Sequence, residues 1–486
     1  ILAQVPQAES STFFFRSCSC YFPSRSRSCL YFCTTALIVV FMSLRARLGA
    51  SPLAGGEKDS LSDLEQLESW LSDGIQKNEA LAQKRVVIIG GSFAGLTTAL
   101  VMHRLGVQVQ VYDRVKTLRE GGAGIGIEDT SLVCLEALGF GDVLRKSASL
   151  PMRRIVHRTN DKELLRSAFP YVSCYWNDIY QMLYEALPEN TVTFGKNFDR
   201  FEEGEQLTVF FQDGMEVQCD ALIGCDGPTS SVRRLLHPQS KLVYRGYTAW
   251  RGYLDRNEAP ESVAAGLYEY YETLADGAIY FHVGSKESGH LVVYELPANA
   301  NTGRKINFLW YVAKEQFAEH LGSGRDVGRE QRITSSAQND ELNQMRQDAC
   351  RFWPKPVADF IQEVPNPFMN DIYDLDPLES WGKGPVTLVG DAGHAVTPHH
   401  LKSSNMAICD AVELGLQLAK SHDIESAFRA YEEFRKPHAT RTVAVSRQLG
   451  MVRQCLAPGA PQDIPQWEAM SQEHLCKLLG DQRVPL

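Results

Sequence analysis

Arg85-Val86-Val87-Ile88-Ile89-Gly90-Gly91-Ser92-Phe93-Ala94-Gly95 is the stretch that decides the fold. Its first half is a short β-branched run, which reads as a strand buried in a parallel sheet. Its second half is a tight glycine turn opening a helix over Leu96–Leu105. The free N–H groups and positive dipole end of that helix would face an anion lying at the turn. Gly106 closes the helix. Val107-Gln108-Val109-Gln110-Val111-Tyr112 then alternates as a second strand and ends in Asp113, about 20 residues past the glycines, where a carboxylate accepts from a ribose hydroxyl. Ser92 stands where the usual Gly-x-Gly-x-x-Gly has its second glycine. Strand, helix, strand and acid in register nevertheless make a complete dinucleotide-binding unit, one that fits NAD(P) and FAD equally.

Two further glycine turns follow. Ala221-Leu222-Ile223-Gly224-Cys225-Asp226-Gly227-Pro228-Thr229-Ser230-Ser231-Val232-Arg233-Arg234 reads as a buried strand, a sharp turn and a helix start. Pro385-Val386-Thr387-Leu388-Val389-Gly390-Asp391-Ala392 reads as a strand turning through glycine into an aspartate. Taken singly, Asp226 or Asp391 is an ordinary helix N-cap. In this order and at these separations the three turns resemble the single-component flavoprotein aromatic hydroxylases of the p-hydroxybenzoate hydroxylase type. The resemblance runs from about Arg85 to Gly450. Gly122-Ala123-Gly124-Ile125-Gly126-Ile127 looks like the segment beside the flavin ring, and Ala430-Tyr431-Glu432-Glu433-Phe434-Arg435-Lys436-Pro437 like the C-terminal helix. Tyr244-Arg245-Gly246-Tyr247-Thr248-Ala249-Trp250-Arg251-Gly252 and Asn307-Phe308-Leu309-Trp310-Tyr311 are similar to the 2,6-dihydroxypyridine 3-monooxygenase branch, as is Tyr175-Trp176, where most members carry an arginine.

The resemblance implies an α/β fold, a Rossmann-like FAD-binding domain with a parallel sheet interrupted by a mainly antiparallel α+β substrate domain. The first would span 84–150, 174–240 and 371–450, and the second 151–173 and 241–370. Residues 1–83 would be a leader with a short helix, and 451–486 a surface tail. Gly90, Gly95 and Asp113 would hold the ADP half of FAD, Asp391 would lie near the ribityl and pyrophosphate, and Asp226 and Gly227 would serve the cofactor and the approach of NAD(P)H. Gly91, Ser92, Ala94, Arg114, Gly126, Ile127, Gly390, Ser403, Ser404 and Asn405 complete the expected cofactor-binding set. The activity implied is hydroxylation of an electron-rich aromatic or N-heteroaromatic small molecule. NADH or NADPH would reduce FAD, and O2 would be transferred through a flavin C4a-hydroperoxide. A histidine or tyrosine that helps ionise the substrate hydroxyl suits this chemistry. His399, beside the flavin loop, is the candidate catalytic group, and Tyr247, His282 and Tyr311, on substrate-domain strands, are candidate substrate contacts.

One stretch departs from the family. After Gly390-Asp391-Ala392-Gly393-His394-Ala395-Val396-Thr397-Pro398-His399 the family has small residues whose amides face the flavin, whereas this chain has His400-Leu401-Lys402-Ser403-Ser404-Asn405. Leu401 and Lys402 would crowd that approach, or Lys402 would supply positive charge directly. Two alternatives to the hydroxylase therefore stand: a flavin dehydrogenase or reductase on the same fold, and a flavin-binding protein without turnover. His394, His399 and His400 fall across a turn with no carboxylate or cysteine set to complete a ligand shell, so no metal is expected.

The whole chain agrees with an enzyme of ordinary balance. Its 486 residues allow about three domains, and with 44% hydrophobic and 22% charged residues it is neither disordered nor a polytopic membrane protein. The net charge of -10 offers no electrostatic footing on nucleic acid or anionic lipid, which leaves small molecules as partners and allows a homodimer. Cysteines cluster only in the leader, at Cys18, Cys20, Cys29 and Cys33. Scattered cysteines elsewhere point to an intracellular setting, cytoplasm or organelle. The uncharged run 28–44 reads as a signal core or membrane anchor. Met42 offers an alternative start, with the basic, small-residue-rich stretch after it resembling a transit peptide. Apolar residues at helical spacing over 61–82 predict a short amphipathic packing helix.

Overall fold

A computed structural model describes residues 62, 64–118, 124–141, 144, 149–298, 303–313, 335–336 and 339–479. They belong to one unit spanning Gly56–Leu486. The readings made of the leader segment 28–44, of Met42 and of the leader cysteines lie outside the described residues.

The β-branched run forms the strand Arg85–Ile89 at the centre of a six-stranded sheet. It pairs in parallel with Gln108–Asp113 on one side and Ala221–Gly224 on the other. Val86 to Ile89 are buried, each aliphatic side chain contributing about 1.5–3 kcal/mol by leaving water. Val386–Leu388 extends the sheet in parallel beyond Ala221–Gly224, and Val192–Phe194 beyond Gln108–Asp113. All three glycine turns therefore leave the same end of one parallel sheet, the end where such sheets bind ligands.

The helix after the first turn spans Phe93–Arg104 and is buried along its first ten residues. Its principal neighbour is the helix Ser403–Lys420, and the two approach closely because Gly415 has no side chain: a Cβ there would lie 2.1 Å from Val101 Cγ1. The expected amphipathic segment forms the helix Leu64–Asp73, which buries Leu67 and Trp70.

The second sheet has nine strands, all antiparallel to their neighbours except where Ala278–Val283 runs parallel to Ser149–Arg158. One face packs Trp250, Tyr280, Phe308 and Trp310 against Leu267, Tyr271, Val357 and Phe360 of the covering helices. The other carries Tyr247, Ala249, Phe281, Tyr294, Leu309 and Tyr311. Gly124–Glu128 pairs with Glu163–Tyr175 in this sheet, and Phe368–Leu375 pairs with Leu242–Asp255. Both segments extend beyond the substrate-domain limits drawn from sequence. Their register is set by distant strands, which spacing along the chain does not reveal.

The C-terminal residues differ more from expectation. The helix Ile424–Arg453 runs past 450, and Trp467, Leu475 and Leu479 bury with Leu164, Val283 and Val452. This segment closes a third apolar cluster rather than lying on the surface. No helix among the described residues is long and apolar enough to cross a membrane.

Candidate active site

The three turns converge through contacts too close for side chains. Gly90 adopts φ 103°, and a Cβ there would sit 2.3 Å from the Cys225 carbonyl oxygen, joining the first turn to the second. A Cβ on Gly95 would lie 1.8 Å from the Gly90 carbonyl oxygen. Gly390, at φ 68°, packs on Ala94 and so joins the third turn to the first. Arg233, buried, donates to the carbonyls of Pro228 at 2.6 Å and Ala392 at 2.9 Å, tying the second turn to the third. Burial pushes its guanidinium down to about 10.

Individual expected residues fall into distinct roles. Asp113 accepts the Gly91 N–H at 2.7 Å and the Val115 N–H at 2.9 Å, so its carboxylate holds the glycine turn in shape. A carboxylate has about four acceptor positions, so it retains capacity for a ribose hydroxyl. Arg114 is exposed. Asp226 accepts the N–H groups of Ser231 at 2.6 Å and Val232 at 3.3 Å, capping the short helix Ser231–Leu236, and burial raises its carboxyl. Gly227 turns at φ 78° with open space where a Cβ would be. By contrast, Ser92 precedes Phe93–Arg104 without capping it through its side chain. The helix at the glycine turn is thus left without a side-chain cap, as anion binding requires.

Beyond the turns lies a cleft of about 430 Å³ between the two sheets. Asp391, Ser403 and Ser404, which follow the six-stranded sheet, form one part of its lining; Gly124, Gly126, Arg251, Tyr294, Leu309, Asn370 and Ile372 of the nine-stranded sheet form the rest. Trp176 closes one end, stacked on Phe93 at 5.4 Å between centroids, and so sits against the glycine-turn helix. Ser403 Oγ donates to both Asp391 oxygens at 2.9 and 3.0 Å, while burial raises the Asp391 carboxyl.

The departing loop keeps a glycine-like backbone without glycine. Leu401 adopts φ 55°, a left-handed conformation that costs an L-residue about 1–2 kcal/mol. Lys402 does not project a free charge. Its Nζ donates to Glu128 Oε2 at 2.5 Å, and both residues are buried. Glu128 also accepts from Tyr171 Oη at 3.0 Å. Asn405, fully buried, accepts the Glu128 N–H and donates to the carbonyls of Gly126 and Leu401, so it staples the loop to strand Gly124–Glu128. Ile127 is likewise buried and is not among the residues lining the cleft.

His399 does not reach the cleft. Its Nε2 meets Tyr247 Oη at 2.7 Å, behind the turn Pro398–His400. Burial, then Arg453 and Arg251, hold its imidazole well below the usual histidine range. Tyr311 packs on the same ring at 4.6 Å and is likewise behind the cleft wall. His282 stands on the helix-covered face of the sheet, bonded to Tyr271 Oη at 2.6 Å. Tyr247, His399 and Tyr311 thus pack behind the cleft and His282 lies on the far face of the sheet, and the groups in contact with the cleft are others.

Several site residues escaped the sequence reading. Period-two alternation through Tyr247, Ala249 and Arg251 would have put Arg251 on one face with Tyr247. The buried group Asp410 had no local signal: it accepts Arg435 Nε at 2.8 Å and the Gly390 N–H at 3.1 Å, and pairs with His394 Nε2 at 2.5 Å.

A family model described as FAD binding domain matches residues 83–347 and 375–465. The chain belongs to the FAD binding domain family. Among curated relatives of this FAD-binding chain, 2,6-dihydroxypyridine 3-monooxygenase of Paenarthrobacter nicotinovorans is 29% identical over 360 residues, covering 72% of this chain and 86% of the relative. Salicylate hydroxylase of Pseudomonas putida is 26% identical over 388 residues, covering 75% and 85%. The solved 2,6-dihydroxypyridine-3-hydroxylase from Arthrobacter nicotinovorans shares the fold at TM-score 0.65 and 23% identity, over 78% of this chain and 96% of that one. The residues present fit FAD: the glycine-turn helix has no side-chain cap, and two glycines and the Asp391 loop border a cleft at the sheet's ligand-binding end.

Proposed function

We propose that this protein is an FAD-dependent monooxygenase that uses NADH or NADPH and O2 to hydroxylate an electron-rich aromatic or N-heteroaromatic small molecule. The observation that carries the reading is the cleft in which the Gly390-Asp391 loop meets a substrate-sized wall of Leu309, Ile372, Tyr294 and Arg251. When bound, FAD would supply the redox chemistry, hydride acceptance from the nicotinamide and activation of O2.

The chain's own residues do the rest. Gly90, Gly91, Ser92, Ala94 and Gly95 would hold the pyrophosphate side of the cofactor with Asp113, and Asp391 with Ser403 and Ser404 would hold its middle. Leu309, Ile372, Leu401 and Trp176 exclude water around a bound ring, which protects the oxygen-transfer step from hydrolytic loss. His399 and Tyr247 act as positioning residues that brace the turn Pro398–Leu401 from behind. The ion pair of Lys402 and Glu128 fixes the same turn from the strand side.

The purified protein, loaded with FAD, is assayed for NAD(P)H oxidation with hydroxypyridines, phenols and purines under ¹⁸O2. Substrate-stimulated oxidation with one labelled oxygen in the product is expected. Oxidation without label would replace the monooxygenase by a dehydrogenase on the same fold. A flavin that NAD(P)H does not reduce with any member of the panel would indicate a protein without turnover.

A further inference from the structure

The helices Phe93–Arg104 and Ser403–Lys420 both start at cofactor-binding turns, the first after Gly90-Gly91 and the second after the Gly390-Asp391 loop. They touch where Gly415 faces Val101, and nearer their N-terminal ends they flank Gly390, where a Cβ would meet Ala94 Cβ at 3.0 Å and Ala407 Cβ at 3.4 Å. The contact at Gly415 therefore governs the space left for the third glycine turn. About 18 Å of helix lies between Gly415 and Ser403 at about 1.5 Å per residue, so a tilt of about 3° at this contact carries Ser403 through about 1 Å.

The family match begins at residue 83, and the segment ahead of it grips both helices at three places. Ser62 donates its N–H to Glu413 Oε2 at 2.9 Å and its hydroxyl to Glu413 Oε1 at 2.5 Å, and Glu413 is fully buried in the second helix. A buried carboxylate is costly without such donors. Trp70, itself buried, packs at the helix contact: a Cβ on Gly415 would lie 3.2 Å from Trp70 Cη2.

Asn78 joins the C-terminal ends of the same two helices. Its N–H donates at 2.8 Å to the carbonyl of Leu105, which caps the first helix. Its side-chain amide donates to the Leu418 and Ser421 carbonyls at the end of the second, at 2.7 and 2.8 Å. Such carbonyls have no partner within their own helix. The Ala80 N–H holds Asn78 Oδ1 at 3.0 Å, which fixes the orientation of the amide. Burial of an amphipathic helix requires only Leu67 and Trp70. Donors on a mid-helix carboxylate and on both helix ends hold the pair in one relative position.

Resting on FAD at the glycine turns and not on its oxygen chemistry, we propose that the arm 64–81, with Ser62, is a clamp on the two cofactor helices, in which Trp70 and Asn78 are positioning residues for FAD. Docking of the arm fixes the spacing of the turns that hold FAD, and FAD bound at those turns in return strengthens the docking of the arm, because such coupling is reciprocal.

The first test needs no variant: amide hydrogen exchange of the full wild-type chain with and without FAD. FAD is expected to slow exchange across 64–81 by about tenfold, although the arm lies at the far ends of both helices from the turns. The second test measures FAD affinity by flavin fluorescence. Trp70→Ala and Asn78→Ala should each weaken FAD binding by about tenfold, the equivalent of one net hydrogen bond, and Trp70→Phe should keep most of the affinity. Leu475→Ala, in the apolar cluster around Trp467, should lower the melting temperature while leaving FAD affinity unchanged. Arm amides that exchange equally with and without FAD would overturn the proposal, as would Asn78→Ala within about twofold of wild type, or Leu475→Ala weakening FAD as much as Asn78→Ala does. Wild type that binds no FAD would overturn it together with the cofactor assignment. An arm coupled to FAD in a protein that incorporates no ¹⁸O would uphold the clamp and sink the monooxygenase reading, whereas labelled product from a protein whose arm ignores FAD would do the reverse.

Discussion

Asp410→Asn is the substitution whose consequence the structure determines most sharply. Asp410 and Arg435 are both fully buried, with Arg435 Nε 2.8 Å from Asp410 Oδ1. The other carboxylate oxygen holds His394 and the Gly390 N–H that shapes the third turn. Asparagine has the same size but presents an NH2 group to one of these donors and removes the negative charge. Losing a neutral buried hydrogen bond costs about 0.5–1.5 kcal/mol net. Stranding a buried cation costs about 3–5 kcal/mol, so the charge term dominates and would remove a large share of a typical 5–15 kcal/mol. Urea denaturation, followed by tryptophan fluorescence, measures it; Trp381 packs on His394 at 5.1 Å and reports on the site. Pairing the change with Arg435→Met should recover at least about 2 kcal/mol relative to the sum of the singles. A loss below about 1 kcal/mol in Asp410→Asn, or strict additivity in the pair, would refute the reasoning. The pH dependence has a definite sign. Burial pushes the Asp410 carboxyl up, but His394 and Arg435 outweigh it and hold it below the ordinary value. Its stabilisation is therefore fully present above the unfolded-state pKa of about 3.9 and is lost as pH falls through the lower folded value, a dependence that Asp410→Asn should flatten.

Gly95→Ala would place a methyl 1.8 Å from the Gly90 carbonyl oxygen, where backbone cannot yield cheaply. FAD affinity, measured by recovery of flavin fluorescence on release, should fall by about one to two orders of magnitude, following an overpacking cost of about 1–3 kcal/mol. Lys402→Met strands Glu128 and should destabilise by about 3–5 kcal/mol in denaturant titration, with Lys402→Met/Glu128→Gln less destabilised than Lys402→Met alone. Asp374, buried, receives Arg447 Nε at 2.8 Å and Arg245. Asp374→Ala should cost about 1–3 kcal/mol, since both arginines retain partial access to water, and should speed amide exchange in strand Phe368–Leu375.

The local rules were legible where they act between near neighbours in sequence. Val86 to Ile89 announced a buried parallel strand, and Gly90 and Gly95 occupy positions where a side chain has no room. The departure at Leu401 and Lys402 was also visible, but its outcome was not. Leu401 adopts the left-handed turn itself, and Lys402 is neutralised by Glu128, 274 residues earlier in the chain. Candidate catalytic groups fared differently. Every residue of Ala278–Val283 and Lys305–Ala313 is buried, so alternation along these strands gives no polar face to orient His282 or Tyr311. His282 consequently falls on the helix-covered side and Tyr311 behind the cleft.

The sequence by itself determined the βαβ unit, the order of the three glycine turns and the family, because strand burial, glycine sterics and helix starts depend on residues a few positions apart. Tertiary structure decided which side chains meet the cleft. Arg251 is left unpaired while Lys402 is paired, Asp410 reaches Arg435 and Gly390, and Trp467 folds back onto Val283. Those outcomes depend on sheet register and on charge pairs formed across long stretches of chain, and a burial cost or a counter-charge exists only once the surrounding elements have closed around the group.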